Sequence, residues 1–291
     1  MIQDKTLSSK FLDVVVHITM FVVLVTTLYP VLHVLAASFS SPLAIDSGQV
    51  GIIPVDFNFE NYRLVFGSNH IMRSFANSVL YTVVGTFLNL LVTGMMAYAL
   101  SRKQLAFRRF YIWIVIIPLY FSGGLIPTFI MIFGMGLFGS WWALILPNLI
   151  HITNLIIMRT FFQNLPLELE ESAAIDGAND MTIFFKIILP LSKPVIFTIA
   201  LFYLVSYWNS WFSAFIYIGH IPELHPLQLV IRSLIVMGQA LADVEGGGDI
   251  GVSVNGIRFA TLFVSMIPML IVYPFIQKYF VQGVMIGSLK G

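Results

Sequence analysis

Six long apolar runs constrain this sequence more than any other feature. They cover roughly residues 12–37, 74–100, 110–133, 141–163, 194–219 and 257–281. An α-helix needs about 20 apolar residues to cross a hydrocarbon layer about 30 Å thick. Charged residues make up only 10% of the chain, whereas soluble domains carry about 25%. The sequence therefore predicts an all-α membrane protein with six transmembrane helices, forming a single domain over residues 1–291.

The basic residues indicate how such a chain is oriented. Six crossings place both termini on one side of the membrane. Of the 15 lysines and arginines, eleven lie in the segments on that side, and the other four are Arg63, Arg73, Arg232 and Arg258. Because lysine and arginine are enriched in cytoplasmic segments, we expect both termini to be cytoplasmic.

The loop between the fourth and fifth runs, residues 164–193, is unusually acidic. It holds five of the 14 acidic residues, namely Glu168, Glu170, Glu171, Asp176 and Asp180. Residues 165–176 are predicted to form a short helix with Pro166 in its first turn, where a missing N–H costs nothing. Gly177 can end that helix in the left-handed conformation. A second helix is predicted to begin with Asp180 as its N-cap and to stop at Pro190.

The same loop carries a specific motif. Glu-Ala-Ala, three residues, Gly, nine residues and Ile-x-Leu-Pro is matched at Glu171, Ala173, Gly177, Ile187, Leu189 and Pro190, with Ser172 in place of the first alanine. This pattern resembles the cytoplasmic loop in permease subunits of bacterial ABC importers. The resemblance implies that the loop contacts an ATPase through Glu170, Glu171, Ser172, Ala173, Asp176, Gly177, Ile187, Leu189 and Pro190.

Other segments extend the resemblance to nearly the full chain. Asn77-Ser78, the stretch Tyr-Ala-Leu-Ser-Arg at 98–102 and Trp208-Asn209 resemble the maltose-type carbohydrate permeases. Residues 122–127 and the tail at 277–291 resemble the MalG-like permease of complex-oligosaccharide importers. The implied fold is the type I ABC importer permease fold with a cytoplasmic coupling helix, in the bacterial cytoplasmic membrane.

The resemblance also implies partners. These are a second, homologous permease, two cytoplasmic ABC ATPases that bind ATP and Mg, and an extracytoplasmic solute-binding protein that delivers an oligosaccharide. Membrane lipid would surround the spans. The outer segments 38–70 and 227–248 are the ones long enough to form a docking surface for the binding protein.

An aromatic and polar patch in the fifth run is open to two interpretations. Tyr203, Tyr207, Trp208 and Asn209 could stack on and hydrogen-bond a sugar and so line the substrate pathway. Aromatic residues also fill membrane cores and mark the membrane interface. Asn148, His151 and Asn154 share a helical face in the fourth run, where hydrogen bonds between helices are the favoured interpretation.

Catalysis finds little support in the sequence. It has no Gly-x-x-x-x-Gly-Lys-Ser/Thr nucleotide loop, no His-Glu-x-x-His metal motif and no cysteine. The net charge of +1 gives no basic surface for nucleic acid. We therefore expect a transport subunit without catalytic residues, metal or cofactor of its own. The alternative is an ABC importer permease for a non-sugar solute. Neutral and acidic oligosaccharides both remain open.

Overall fold

A computed structural model describes the backbone of residues 7–242 and 251–288, and the side chains of residues 9–237 and 254–274. The described backbone forms helices and contains no strand. The chain divides into two compact units, one of Met1–Met72 with Ile231–Met266 and one of Arg73–Val230 with Ile267–Gly291. The single domain stays a prediction, and each unit is described by itself.

The first unit is built around the end of a long helix. It contains α1 (Leu7–Ser38), α2 (Pro42–Asp46), α3 (Glu60–Gly67) and the start of α4 (Asn69–Ser101). The latter part of α14 (Leu227–Ala242) and the first part of α15 (Gly251–Ser288) complete it. Ala36 and Ala37 are buried at the end of α1 against Ala44 and Val50. Asn61 is fully buried and donates hydrogen bonds to the carbonyls of Ser38 and Ser40, at 3.2 and 3.0 Å.

The second unit holds most of the helices. After α4 come α5 (Arg108–Tyr120), α6 (Leu125–Gly134), α7 (Trp142–Ile145), α8 (Ile152–Gln163), α9 (Glu168–Ile175), α10 (Asp180–Ile183), α11 (Leu189–Leu191), α12 (Lys193–Trp208) and α13 (Phe212–Ile218). Short 3₁₀ turns span Leu146–Asn148 and Pro222–Leu224, and a π-helical turn spans Phe184–Ile188. The main core of the second unit includes Leu155, Met158, Phe162, Phe184 and Ile199, all buried.

Three of the predicted spans are continuous helices. Ser9–Ser38, Asn69–Ser101 and Val254–Pro274 are each long and apolar enough to cross a membrane. Two bent pairs raise the number of candidate spans to at most five, judged by length and composition in the described residues. They are Trp142–Asn148 with Ile152–Gln163, bent by 49°, and Asp180–Leu191 with Lys193–Trp208, bent by 85°. The count of six spans therefore stays a prediction.

The predicted runs 110–133, 141–163 and 194–219 are interrupted rather than continuous. The first breaks at residues 121–124, just after Pro118, where Gly124 takes a φ of +79°. The second breaks after Pro147, and the third breaks at Asn209. Proline removes a helical hydrogen bond, glycine tolerates positive φ, and asparagine competes for backbone groups. These local effects end helices that hydrophobicity alone would continue.

The two outer segments predicted to dock a binding protein are helical in part. Residues 38–70 contain α2 and α3, with Phe39 in ring contact with Phe57, Phe59 and Tyr62. Helix α14 begins with Leu227, which is fully buried and whose N–H donates to Ser78 Oγ at 2.7 Å. The start of α14 is therefore packed inside the chain. Gly246–Gly248 lie outside the described residues.

Candidate coupling surface and aromatic seam

The acidic loop folds into a short helix followed by a bent second helix. Helix α9 begins at Glu168, three residues after the predicted start. Its first turn carries Glu168, Glu170 and Glu171, where negative charge is stabilised by the N-terminal end of the helix dipole. Ser172 Oγ donates back to the carbonyl of Glu168 at 2.7 Å. The loop therefore presents a compact, acidic turn.

Gly177 ends this helix as the sequence predicts. Its φ is +82°. The N–H of Gly177 donates to the carbonyl of Ala174 at 3.0 Å, and the N–H of Ala178 donates to the carbonyl of Ala173 at 2.9 Å. This pair of bonds is the Schellman motif. A β-carbon on Gly177 would meet no atom of the described chain within 4 Å, so glycine is needed for backbone conformation and not for space.

The second helix is capped by Asn179, not by Asp180 as predicted. Asn179 has extended backbone angles, and its Oδ1 accepts from the N–H of Thr182 at 2.8 Å. Both residue types cap helices well, so the one with non-helical backbone angles takes the role. The helical path continues through Pro190 to Leu191, one residue beyond the predicted stop, before the 85° bend into α12.

The nine predicted coupling residues divide into two groups. Glu171, Ser172, Asp176, Gly177 and Pro190 are exposed. Ala173, Ile187 and Leu189 are half-buried, and Glu170 is turned inward. Ala173 and Leu189 pack against the main core of the second unit. The half-buried group anchors the loop, and the exposed group is available for contact with another molecule.

Glu170 is part of the anchor. Its carboxylate forms an ion pair with Arg102, which follows the end of α4, and the two side chains are only 12% and 17% exposed. The Arg102 guanidinium also lies 4.5 Å from the centroid of the Tyr98 ring. Burial raises the pKa of the Glu170 carboxyl above its ordinary value, against the opposing effect of Arg102. The side chain of Glu170 is therefore committed to its own chain.

An apolar component of the exposed surface was not predicted. Ile175, the last residue of α9, is 86% exposed, and Met181 is 54% exposed. Leu167 and Leu169 are also exposed. A signal was present in the sequence, because Ile175 is a large apolar residue directly before Asp176 and Gly177. We call the exposed residues Glu171, Ser172, Ile175, Asp176 and Met181 the coupling surface.

Tyr203 and Tyr207 form a hydrogen-bonded seam with α4. The Tyr203 hydroxyl lies 2.8 Å from Thr93 Oγ1 and accepts from the N–H of His151 at 3.2 Å. The Tyr207 hydroxyl donates to Asn89 Oδ1 at 3.0 Å. The Tyr207 ring lies so close to Gly85 that a β-carbon there would overlap it. These tyrosines hold helices together.

The fourth run does form the expected hydrogen bonds to other helices, but it forms them through backbone groups. Asn89 Nδ2 donates to the carbonyl of Asn148 at 2.8 Å, and it is the N–H of His151 that meets Tyr203. Asn154 is buried within α8. The break between α7 and α8 exposes the peptide groups that α4 and α12 then satisfy.

Trp208 and Asn209 lie in different surroundings. Trp208 is 4% exposed and meets Phe75 edge to face, with ring centroids 6.0 Å apart. Asn209 is exposed, and its Nδ2 donates to the carbonyl of Val205 at 2.9 Å. Phe202 and Ser206 are exposed on the same face of α12 as Asn209. Of the four predicted pathway residues, Tyr203, Tyr207 and Trp208 are thus covered by other parts of this chain, and Asn209 is exposed. The role of all four in the pathway stays a prediction.

The described residues include helices long and apolar enough to cross a membrane and an exposed, acidic helical turn anchored to the core, as expected of a membrane protein. The chain belongs to the family of binding-protein-dependent transport system inner membrane components, whose sequence profile matches residues 89–286. It is a permease of an ABC importer, and ATP hydrolysis in such importers resides in a separate subunit.

Individual relatives match along almost the whole chain. The polygalacturonan/rhamnogalacturonan transport system permease protein YtcP of Bacillus subtilis is 40% identical over 287 residues, covering 98% of this chain and 100% of YtcP. Protein LplC of the same species is 41% identical, covering 91% of this chain and 90% of LplC. A bacterial ABC transporter involved in the import of the acidic polysaccharide alginate contains a chain of TM-score 0.86 and 31% identity, covering 94% of this chain and 98% of that chain.

Proposed function

We propose that this chain forms half of the translocation pathway of an ATP-driven oligosaccharide importer, together with a second, homologous permease. Its spans would be α1, α4, α5 with α6, α7 with α8, α12 with α13, and α15, with both termini in the cytoplasm. Broken helices are tolerated at membrane depth where they are buried in protein or line a cavity. The basic residues on the side of the termini support the orientation.

The observation that carries the coupling role is the division of α9 into an anchored and an exposed face. Glu170 ties one face to the end of α4, while Glu171 and Ile175 project from the other. A partner that moves the exposed face would also move α4 and the core, because the Glu170–Arg102 ion pair joins them. Two cytoplasmic ATPases that bind ATP and Mg would pull on this surface and switch the permease pair between inward-open and outward-open states.

The contacts proposed for the ATPase combine charge and apolar burial. Glu171 would pair with a basic group of the ATPase, which sets orientation and partner choice. Ile175 and Met181 would fill an apolar pocket, since well-packed apolar anchors supply most of the affinity of an interface. Asp176 and Ser172 would lie at the rim of the interface with the ATPase. On the outer side, residues 38–70 and 227–248 would receive a solute-binding protein.

We propose an acidic oligosaccharide as the cargo. Two of the matching proteins carry names that refer to polygalacturonan/rhamnogalacturonan and to alginate, and both names denote polymers that contain carboxylated sugars. On α12, the exposed face of Phe202, Ser206 and Asn209 offers an aromatic ring beside hydroxyl and amide groups. Such groups stack on and hydrogen-bond sugar rings, and lipid would penalise the polar ones.

Uptake into vesicles that contain the assembled importer and its binding protein tests this function. Labelled oligogalacturonides, malto-oligosaccharides of the same length and an amino acid would be compared with and without ATP. We expect ATP-dependent uptake of the oligogalacturonide. Uptake of the malto-oligosaccharide alone would keep the sugar role and overturn the acidic cargo. Uptake of the amino acid alone would overturn the sugar role.

A further inference from the structure

An aromatic cluster lies just beyond the end of α1, within the first unit. Its members are Phe39, Phe57, Phe59, Tyr62 and Phe66. The centroid of the Phe39 ring lies 5.3, 5.5 and 4.8 Å from those of Phe57, Phe59 and Tyr62. Phe66 stacks on Tyr62 at 6.4 Å. Even so, Phe57, Phe59 and Phe66 are 60%, 62% and 56% exposed. Contiguous apolar surface of this kind marks contact with a partner or a membrane.

Backbone and side-chain hydrogen bonds fix the cluster to the end of α1. The N–H of Asn58 donates to the carbonyl of Phe39 at 2.9 Å. This follows a turn at Asp56, whose φ is +51°, a left-handed conformation that aspartate tolerates better than most residues. The Tyr62 hydroxyl lies 2.7 Å from Ser38 Oγ. The rings therefore keep their place relative to the last turn of α1.

The end of α1 lies at a membrane surface when α1 spans the bilayer. Ser9–Ser38 comprises 30 residues, or about 45 Å of helix at about 1.5 Å per residue. That length matches a bilayer with its headgroups, about 40–45 Å thick. Phe39 follows directly, so the cluster lies at the depth of the headgroups. Tyr29 and Val31 are exposed near this end of α1, so apolar surface extends along the span toward the cluster.

Helix α3 has one aromatic flank and one polar flank. Asn61 and Val65 are buried and face the first unit. Tyr62 and Phe66 are four residues apart and share one flank, because such residues lie on the same face of a helix. Glu60 is exposed and lies on the other side of α3 from Tyr62. A helix with this division can lie flat at a membrane surface, with its rings in the lipid and its charges in water.

We propose that the aromatic cluster docks α3 into the interfacial layer of the membrane that α1 spans. The apolar side of an interfacial helix enters that layer by about 5–10 Å, which is enough to cover the exposed rings of Phe57, Phe59 and Phe66. The flank of Glu60 stays in water and remains open to a solute-binding protein. This contact goes beyond the transport function and rests only on α1 being a membrane span, whichever surface its end faces.

Fluorescence quenching by labelled lipids tests the contact. The chain has no cysteine, so Phe66→Cys and the control Glu60→Cys each introduce one site for an environment-sensitive fluorophore. The labelled full-length chain would be reconstituted, alone and in the assembled importer, in phosphatidylcholine vesicles with a nitroxide either near the headgroup or deep in the acyl region. The label at Phe66→Cys should show blue-shifted emission and lose more intensity to the shallow nitroxide than to the deep one. The label at Glu60→Cys should show water-like emission.

Three results would overturn the proposal. The first is the same water-like emission from both labels. The second is a blue shift at Phe66→Cys without loss of intensity to either nitroxide, which would place the cluster against protein, such as the second permease or the binding protein. The third is a greater loss to the deep nitroxide, which would place the cluster in hydrocarbon.

A second pair of variants tests whether the rings hold the cluster in the lipid. With the fluorophore at Phe57→Cys, Phe66→Asp should reduce quenching by the shallow nitroxide, because a carboxylate loses hydration on entering the layer. Phe66→Trp should preserve the quenching, since tryptophan favours membrane interfaces. Both substitutions lie at an exposed site, so unchanged size-exclusion behaviour is expected and would be checked. Equal quenching in the Phe66→Asp and Phe66→Trp backgrounds would overturn the anchoring role of the cluster.

Discussion

Glu170 and Arg102 form a half-buried ion pair that joins the coupling helix α9 to the end of α4. The adjacent acid, Glu171, is exposed. Two neighbouring carboxylates of one short helix therefore have opposite surroundings. One fixes the helix to its own chain, and the other is free to meet a partner. This division is the physical basis of the coupling role proposed for the loop.

Removing Arg102 should destabilise the chain more than removing its partner. Arg102→Gln leaves the Glu170 carboxylate buried without a counter-ion, and we expect a loss of about 3 kcal/mol. Glu170→Gln keeps an acceptor for Arg102 and should cost about 1 kcal/mol. Glu171→Gln, at the exposed neighbour, is the matched control and should be neutral. Thermal unfolding by scanning fluorimetry measures all three, and equal stability of Arg102→Gln and Glu171→Gln would show that the ion pair does not anchor α9.

The pH dependence of stability should report on Glu170. Burial raises the pKa of its carboxyl in the folded chain, so the folded state holds that proton more tightly than the unfolded state. Its contribution to the free energy of unfolding is then greatest below the ordinary pKa and declines as the pH rises through the raised pKa. Glu170→Gln should flatten this slope at pH values above the ordinary pKa of a glutamate side chain. An unchanged slope in that variant would assign the effect to other groups.

Gly177 should tolerate alanine poorly and valine worse. A positive φ costs alanine about 1 kcal/mol and a β-branched side chain on the order of 1–3 kcal/mol. Valine would also project toward a docked ATPase, since nothing of this chain lies within 4 Å of the position. ATPase co-purification should fall from wild type to Gly177→Ala to Gly177→Val. Gly67→Val is the control, because that site is equally open and its φ is ordinary. Full ATPase recovery with Gly177→Val would contradict the docking role.

Substitutions at Trp208 and Asn209 should distinguish residues that pack the fold from residues that contact the substrate. Trp208→Ala opens a cavity at a buried site and should cost about 3 kcal/mol, lowering the yield of the complex and uptake of every substrate alike. Asn209→Ala and Phe202→Ala alter an exposed face of α12 and should preserve yield. Their uptake of long oligosaccharides should fall more than that of short ones. Uptake that stays normal in both variants would remove this face from the pathway.

The coupling loop is the part that the sequence predicted in most detail. Gly177 fits its turn because positive φ is a local property of one residue type, and the Schellman bonds need only the neighbouring residues. The prediction of Asp180 as the N-cap was wrong because Asn179 also suits an N-cap and only the backbone angles distinguish the two positions. Single-residue boundaries of this kind depend on how the chain enters the helix.

Contacts between residues far apart in the chain could not be predicted from the sequence. Arg102 and Glu170 are far apart in the chain, and the pattern of either segment alone gives no reason to pair them. For the same reason the inward direction of Tyr203 and Trp208 was not foreseen, since aromatic residues suit both a buried seam and a sugar-binding wall. Hydrophobicity located the apolar runs but not the breaks in the fourth and fifth of them, because backbone hydrogen bonding decides where a helix stops.

The exposed face of α9 is proposed to dock on the ATPase, and cysteine labelling can detect that contact. The chain has no cysteine, so Ile175→Cys introduces a single thiol at a site that is 86% exposed in the free chain. Gln104→Cys, exposed between α4 and α5, is the control outside the coupling surface, and both would be labelled in inside-out vesicles with a membrane-impermeant maleimide. Added ATPase should strongly protect Ile175→Cys from the maleimide and leave Gln104→Cys reactive. Equal labelling of Ile175→Cys with and without bound ATPase would contradict it.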